Sequence, residues 1–433
     1  MDGWRLYAGM IGLAALTGTV VALVLSGGPR LPESRPLGSP SARVLVVSPT
    51  PSLRPTASPR PTASPRPTPS PTTRSDLPGL LRPLTESWRP SVTSLLFARS
   101  SGAGGTTLVA LPVSANAPTS TPSGSARPSA SPPAVAGPVP LVSFGASDGW
   151  QISADGGVLV VSLETAEGTA RLATWNLRTG ATRWVTDDEP GVRQATPVWS
   201  VDGSVIYYAA SRGTADLGIF RIRADGTAKT LLRAPDPKFA GVTLTGLTPD
   251  GAGLAWSYTR AGGSADVFDL QSGRDRAFDN DSGAAILSWR PIRPRALVKV
   301  GGGAGFAGGA LVLWDDLAAT SRVLVPAQAG SPSGVLAADW DPTGSRIAAA
   351  VTERTGSTET SSLLTLDATG AARTAIAGTD GANAVLWLRS GIVFGRPTGS
   401  GGTDLVLVSP SGTAMTVLYS DTGPLSRLTF AAP

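Results

Sequence analysis

The chain has 433 residues, a hydrophobic fraction of 41%, and many glycines (52) and prolines (38), which is typical of short strands and turns rather than long helices. It contains no histidine and no cysteine. Disulfides, thiolate nucleophiles, zinc bound by cysteine or histidine, histidine-ligated haem and a Ser-His-Asp triad are therefore excluded. Any chemistry must come from Asp, Glu, Arg, Lys, Tyr, Ser or an organic cofactor.

The net charge of +5 is unevenly distributed. Residues before 141 contain 12 Arg and 4 acidic residues, a net of +8, and the remainder contains 24 Lys+Arg and 27 Asp+Glu, a net of −3. The basic excess thus lies on arginines scattered among prolines, and the later part of the chain is near neutral. Because no basic face is recognisable, nucleic acid is not expected as a partner.

An apolar run near the N-terminus is the first predicted element. Residues 6–25 form 20 consecutive uncharged positions, the length that an α-helix needs to cross a bilayer. Residues 1–28 are therefore predicted to be an uncleaved transmembrane anchor with the lipid bilayer as its partner, and a cleaved signal sequence is the alternative. Arg30, Arg35 and Arg43 favour a cytoplasmic C-terminal side. The stalk-like sequence that follows favours the extracytoplasmic side, which we adopt as the predicted location.

Residues 29–83 are predicted to be a disordered linker rich in Pro, Ser, Thr and Arg. The stretch 49–74 reads PTPSLRPTASPRPTASPRPTPSPTTR and contains the unit PTASPR twice. Such sequence cannot bury a core and stays extended and solvated, although a partner motif of the P-x-x-P type is an alternative. A second tract at 114–138 is predicted to be a disordered insertion within the folded part.

From residue 84 onward the pattern is one of strands and turns. Runs such as VIYYAAS and LGIFRIR are separated by Gly, Asp, Pro and Ser, and no 3.6-residue period is visible. Each repeat contains two strand–turn–strand halves, and four short strands in such a period are typical of a propeller blade. An all-β fold, a β-propeller over 84–433, is therefore predicted, with seven blades favoured and six possible. The first turns recur every 44 to 49 residues, at Asp155, Asp202, Asp250, Pro294, Thr343 and Ser390.

Three local features of this propeller can be predicted. The first unit fits the repeat if its third and fourth strands are 106–113 and 139–144, and the C-terminal LSRLTFAAP is expected to complete the first blade and close the ring. In the Asp-Gly turns, Asp can bond its own backbone and Gly tolerates positive φ. The large side chains at the first turns are expected to pack between neighbouring blades: Trp88, Trp199, Leu247, Trp289, Trp340 and Trp387.

Two units, WSVDGSVIYY (199–208) and WDPTGSRIA (340–348), resemble the W-S-P-D-G-x-x-I-x-F repeat of TolB-like, WD-repeat-like propellers. The resemblance covers 84–433 as a weak repeated motif, and several units lack the Asp-Gly turn. TolB-like proteins are extracytoplasmic propellers that bind other proteins, so the resemblance implies a binding role and transfers no catalytic residue. The unit 172–185 is similar to a pyrroloquinoline-quinone-type blade ending in T-G-x-x-x-W, but it occurs convincingly only once.

Three motifs could carry chemistry. A G-x-G-x-x-G pattern at Gly303, Gly305 and Gly308 is followed by a strand-like ALVLW rather than the helix that a dinucleotide site needs, so a hairpin loop is predicted. Asp279 and Asp281 offer oxygen ligands for calcium, but the EF-hand spacing fails and a capped turn is favoured. The acidic loop 186–190 is predicted to be solvated, with attraction of a cation or basic peptide at the mouth of the ring as the alternative.

The favoured function is a non-catalytic binding or scaffold module for a protein, peptide or glycan, tethered to the membrane outside the cytoplasm. The chain is not predicted to be an enzyme, and no catalytic residue, metal ligand or cofactor is assigned. The alternatives are a propeller enzyme, either quinoprotein-like or a carboxylate-based glycan-active enzyme, and a purely structural envelope spacer.

Overall fold

The structure is a computed structural model. It describes residues 77–88, 94–101, 105–113, 137–165, 169–237, 239, 241–258, 264–278, 283–301, 309–327, 334–355, 357–423 and 425–431. The predicted anchor, most of the predicted linker and nearly all of the insertion at 114–138 lie outside these residues. Within the ranges given, no helix is long and apolar enough to cross a membrane.

Nearly all of the regular structure consists of short antiparallel strands. Their apolar runs are almost continuous rather than alternating. In the strand Gly391–Pro397, for example, Ile392, Val393 and Phe394 are all fully buried. A strand that is buried on both faces has this composition, because both of its faces need apolar side chains. The sheets are therefore covered on both sides, as stacked blades require.

Within the described ranges, the strands form seven antiparallel meanders, numbered 1 to 7, in which neighbours in sequence pair with each other. Meander 1 is completed by β29, the last strand of the chain, which pairs with β2. The predicted closing strand and the predicted third and fourth strands of the first unit are thus confirmed. The strands of this meander are β1 (Leu81–Pro83), β2 (Ser94–Ser101), β3 (Gly105–Pro112), β4 (Val139–Phe144) and β29 (Leu425–Ala431).

Meanders 2 and 3 belong to one eight-stranded sheet, in which β7 meets β9 through a single parallel residue pair, Ala170 with Arg193. Meander 2 contains β5 (Ser147–Ile152), β6 (Val158–Glu164), β7 (Ala170–Asn176) and β8 (Thr182–Trp184). Meander 3 contains β9 (Val192–Trp199), β10 (Val205–Arg212), β11 (Ala215–Arg223) and β12 (Thr230–Arg233).

Meanders 4 to 7 are four separate four-stranded sheets. Meander 4 contains β13 (Thr243–Leu247), β14 (Gly253–Tyr258), β15 (Ser264–Asp269) and β16 (Asp275–Phe278). Meander 5 contains β17 (Ala284–Trp289), β18 (Arg295–Val300), β19 (Ala310–Asp315) and β20 (Thr320–Val325). Meander 6 contains β21 (Gly334–Trp340), β22 (Arg346–Thr355), β23 (Thr358–Asp367) and β24 (Arg373–Ile376), and meander 7 contains β25 (Ala384–Leu388), β26 (Gly391–Pro397), β27 (Thr403–Val408) and β28 (Met415–Asp421).

The first strands of most consecutive meanders lie next to each other. Contacts join β5 to β9, β9 to β13, β17 to β21, β21 to β25 and β25 to β29. These strands therefore form the inner wall, and the later strands of each meander extend outward. The chain has an all-β propeller fold, closed by the pairing of β29 with β2.

The expected packing of the first-turn side chains is confirmed for three tryptophans, whereas Trp88, Leu247 and Trp289 are only partly buried. Trp199, Trp340 and Trp387 are 5%, 3% and 6% exposed. Each packs against the preceding meander: Trp340, for example, shares a cluster with Leu297 and Leu311 of meander 5. The apolar area removed from water between sheets is the main stabilising term of such a stack. These aromatic side chains are therefore part of the core.

Residues 77–83 lie on the linker side of the predicted boundary and are nevertheless structured. A short helix, α1 (Leu77–Leu80), leads into β1, which pairs with the outermost strand of meander 1. Leu77 and Leu81 are buried in the cluster shared by meanders 1 and 2. Because β1 pairs with the free edge of β4, it protects that edge from pairing with another chain.

Candidate functional site

The candidate site is a cavity of about 580 Å³ on the inner wall, a size within the range of ligand pockets. Its lining comes from β5, β9, β13, β17 and β29, the innermost strands of meanders 1 to 5. None of the thirteen lining residues is charged. They are Trp150, Gln151, Ile152, Thr196, Pro197, Val198, Thr243, Leu244, Thr245, Ile286, Leu287, Leu428 and Thr429.

Bulges in the innermost strands shape this wall. One extra residue interrupts the register of β5, β9, β13, β17, β21 and β29 against their neighbours. A bulge bends its strand, increases the local twist and redirects a side chain, and bulges are frequent next to functional sites. On β13 the bulge falls at Thr245 and on β17 at Leu287, and both residues line the cavity.

The bulge on β9 places a threonine in an unusual backbone conformation. Thr196 has φ 49°, which is disfavoured for a β-branched side chain and costs on the order of 1–3 kcal/mol. Its hydroxyl oxygen accepts a hydrogen bond of 3.0 Å from the amide of Leu244 in the next meander. The bulge therefore links meanders 3 and 4 at the cavity wall. Strained residues of this kind are frequent at functional sites.

Polar side chains immediately before the first turn form hydrogen bonds that link other pairs of neighbouring meanders. The side-chain oxygen of Gln151 accepts a hydrogen bond of 2.6 Å from the amide of Trp199, 48 residues later. Asp339 occupies the equivalent position in meander 6 and accepts a 2.8 Å bond from the amide of Trp387, again 48 residues later. The Ser288 hydroxyl of meander 5 also donates to Asp339, at 2.6 Å. Burial raises the pKa of the Asp339 carboxyl above its ordinary value.

The predicted local role of the turn aspartates is confirmed. Asp155 accepts hydrogen bonds from the Ser153 hydroxyl at 2.6 Å and from the Gly157 amide at 3.1 Å. Asp202 likewise accepts hydrogen bonds from the Ser200 hydroxyl and the Ser204 amide within its own turn. The bond from Ser200 contributes most to lowering the pKa of the Asp202 carboxyl to about 2. Gly203 has φ 69°, as the turn requires. These carboxylates stabilise turns and do not line the cavity.

The acidic loop 186–190 is attached to meander 2. The carbonyl oxygen of Thr186 accepts a 2.6 Å bond from the buried guanidinium of Arg171, and Asp188 lies 3.8 Å from the same side chain. Glu189 forms an ion pair with Lys229. None of the loop residues is among those lining the cavity, so the described geometry does not place an acidic group in the cavity wall.

The remaining candidate motifs are not assembled into a site by the described residues. Gly303, Gly305, Gly308, Asp279 and Asp281 all lie outside them. Among the described residues, no group of three or more Asp or Glu side chains is arranged to hold a metal ion. In the quinoprotein-like unit, Trp184 packs under the guanidinium of Arg171, 4.1 Å from the ring centre. Within the part of the chain that the structure describes, this tryptophan therefore has a packing partner inside its own meander.

Sequence reasoning did not identify the residues that line the cavity. Gln151, Thr196 and Thr245 precede the first-turn aspartates of their meanders by four to six residues, and Thr429 lies in the closing strand. A signal was present, because the segment before each first turn must form the innermost strand of a propeller. Which of its residues face inward depends on the bulges, which shift the alternation by one residue.

No family model matches the chain, and no curated protein sequence matches it either. Its structure is similar to a prolyl endopeptidase, with a TM-score of 0.51, 16% identity and coverage of 77% of this chain and 50% of that one. It is similar to TolB from Acinetobacter baumannii, with a TM-score of 0.42 and 14% identity. This likeness covers 69% of this chain and 65% of that one. It is also similar to an oligogalacturonate lyase in complex with manganese, with a TM-score of 0.49 and 10% identity. This likeness covers 77% of this chain and 86% of that one. The chain thus spans half of the endopeptidase and under two thirds of TolB, and at these identities the likeness concerns the fold alone.

Proposed function

We propose that this chain is a seven-bladed propeller that binds a protein, peptide or glycan without transforming it, tethered to a membrane on the extracytoplasmic side. The observation that carries the proposal is the cavity of about 580 Å³ formed by the innermost strands of five consecutive meanders. Threonine hydroxyls at positions 196, 243, 245 and 429 can donate and accept hydrogen bonds, and leucine and isoleucine side chains supply apolar contact.

The chemistry of the lining supports binding over catalysis. None of its thirteen side chains is titratable, so this wall provides no general acid or base. A neutral wall of hydroxyl and apolar groups suits an uncharged segment whose own donors and acceptors can pair with threonine. The membrane tether rests on the apolar run at 6–25, which lies outside the described residues.

The experiment is a crosslinking pull-down from the native membrane with the full chain and two variants. Thr245→Arg places a long charged side chain in the cavity, whereas Thr416→Arg makes the same change at an exposed position on β28, the outermost strand of meander 7. Partner recovery should fall with Thr245→Arg and persist with Thr416→Arg. Equal recovery with both variants would contradict binding in the cavity, and a soluble product released by the purified chain would support the enzyme alternative.

A further inference from the structure

A second cleft, of about 390 Å³, lies in the outer part of the seam between meanders 5 and 6. Its size is within the range of ligand sites, and it shares no lining residue with the inner-wall cavity. One wall is formed by β18, β19 and β20, and the facing wall is formed by the turn that joins β23 to β24. Unlike the inner wall, this cleft is lined by charged side chains.

The strand wall presents three charged side chains on one face. Arg295 on β18 pairs across the sheet with Asp315 on β19, and Leu313, two residues earlier on β19, pairs with Arg322 on β20. Side chains two residues apart on a strand point the same way. All four therefore lie on the face that meets meander 6, where Leu313 is buried in the shared apolar cluster. Two guanidiniums and one carboxylate give the lining a net charge of +1.

Hydrogen bonds hold the two walls of the cleft in place. The Arg322 guanidinium donates a 3.0 Å hydrogen bond to the carbonyl of Ala368 in the facing turn. Within that turn, the Asp367 carboxylate accepts bonds from the amide and the hydroxyl of Thr369, at 3.0 and 2.8 Å. Both walls are thus fixed by the protein itself, which limits the ordering cost of binding a ligand between them.

The polar groups of the cleft suit a ligand that carries both a carboxylate and hydroxyl groups. A guanidinium has five N–H donors, of which Arg322 uses one for its bond to meander 6, so it can also bind a carboxylate. One oxygen of Asp315 accepts a 2.9 Å bond from the amide of Ala318, and the other can accept from a ligand hydroxyl. Thr320 and Ser321 add hydroxyl groups that donate or accept.

The equivalent seam between meanders 2 and 3 has a similar framework without these charges. There Arg183 donates to the carbonyl of the corresponding turn, but the cross-strand pair that matches Arg295 and Asp315 is Val158 and Asn176. The arginine bond to the turn therefore belongs to the framework of a seam, and the charged pair is an addition to it. This seam supplies a matched control for a test of binding.

We propose that the cleft between meanders 5 and 6 binds a small hydroxylated monocarboxylate. Arg322 binds the carboxylate, Arg295 supplies further positive charge, Asp315 accepts a hydrogen bond from a hydroxyl, and the buried Leu313 forms an apolar floor. The net charge of +1 matches a monoanion, whereas Asp315 would repel a phosphate dianion. The site is separate from the inner wall, so neither binding proposal depends on the other.

The test uses three six-carbon probes and the folded full-length chain, with affinities measured by saturation-transfer NMR titration. Gluconate has a carboxylate and hydroxyls, sorbitol has the hydroxyls without the carboxylate, and hexanoate has the carboxylate without the hydroxyls. Gluconate should bind saturably and at least about tenfold more tightly than either of the others, because each lacks a hydrogen bond to a charged group. Absence of saturable gluconate binding, or equal affinity for gluconate and sorbitol, would overturn the proposal.

Variants locate the binding within the chain. Arg322→Gln should lower the affinity for gluconate about tenfold, whereas Arg183→Gln, which removes the equivalent bond between meanders 2 and 3, should leave it unchanged. Equal effects of the two changes would contradict binding in this cleft. Asp315→Asn should reduce the preference for gluconate over hexanoate, because the hydroxyl loses a charged acceptor and the carboxylate loses a like-charged neighbour. An unchanged preference would overturn the proposal even if Arg322→Gln fails to fold.

Discussion

Removing the carboxylate of Asp316 tests how the meanders are held together. Asp316 is fully buried and receives bonds from the guanidinium of Arg293 at 3.1 and 2.5 Å. Arg293 has a 5% exposed side chain, and it also contacts Asp250 of meander 4 at 3.1 Å. Asp316→Ala leaves a buried guanidinium with a single, half-exposed partner. Breaking such a pair costs about 3–5 kcal/mol, and the remaining contact with Asp250 places our expectation at about 3 kcal/mol.

The assay is urea unfolding of the wild-type chain and the variants, followed by tryptophan fluorescence. Glu189→Ala removes an exposed pair with Lys229 and serves as the control, with an expected loss within about 1 kcal/mol. The double variant Asp316→Leu/Arg293→Met should be more stable than Asp316→Ala, because the buried guanidinium of Arg293 is removed together with its partner. A loss of stability for Asp316→Ala no larger than that of Glu189→Ala would show that the buried pair of Arg293 and Asp316 does not stabilise the fold.

Three further outcomes follow from the geometry. Gly402→Ala should lower the free energy of unfolding by about 1–3 kcal/mol, because the added Cβ would lie 2.0 Å from the backbone oxygen of Asp421. Gly399→Ala is the control and should be nearly neutral in the same urea titration, because a Cβ at that position meets no atom within 4 Å. Deleting residues 425–433 removes β29 from β2 and should open the ring, seen as a larger radius of gyration in X-ray scattering; an unchanged radius would argue against closure by this strand. Because the pKa of Asp339 is raised in the folded chain, its contribution to stability is fully present below the unfolded pKa and is lost as pH rises through the folded pKa. The wild type should therefore gain stability relative to Asp339→Asn as pH falls, and a gain with rising pH would contradict this sign.

The repeated features of the fold could be read from the sequence because they depend on local chemistry. The Asp-Gly turns at Asp155 and Asp202, the buried Trp340 and the closing strand at 425–431 all follow from turn geometry or from the need to cover a sheet on both faces. The turns and the buried aromatic side chains recur with the repeat period, so several copies support each of these predictions.

The candidate site could not be read in this way because it depends on register and on contacts between distant residues. Thr245 lines the cavity owing to a bulge, and a one-residue bulge leaves no clear mark in the sequence. The link from Gln151 to Trp199 joins residues 48 apart, a distance over which no local pattern reports a contact. The sequence predicts a linker over 29–83, where the edge strand β1 lies, because the proline-rich surroundings dominate the local composition.

The most direct test of the central claim is photocrosslinking from inside the ring. A photoreactive phenylalanine analogue is introduced at position 245, on the cavity wall, or at position 416, on the exposed outer strand, and the chain is irradiated in its native membrane. We expect a discrete adduct from position 245 that is absent from position 416. An adduct from position 416 alone, or the same adducts from both positions, would contradict the proposal that the inner wall is the binding surface.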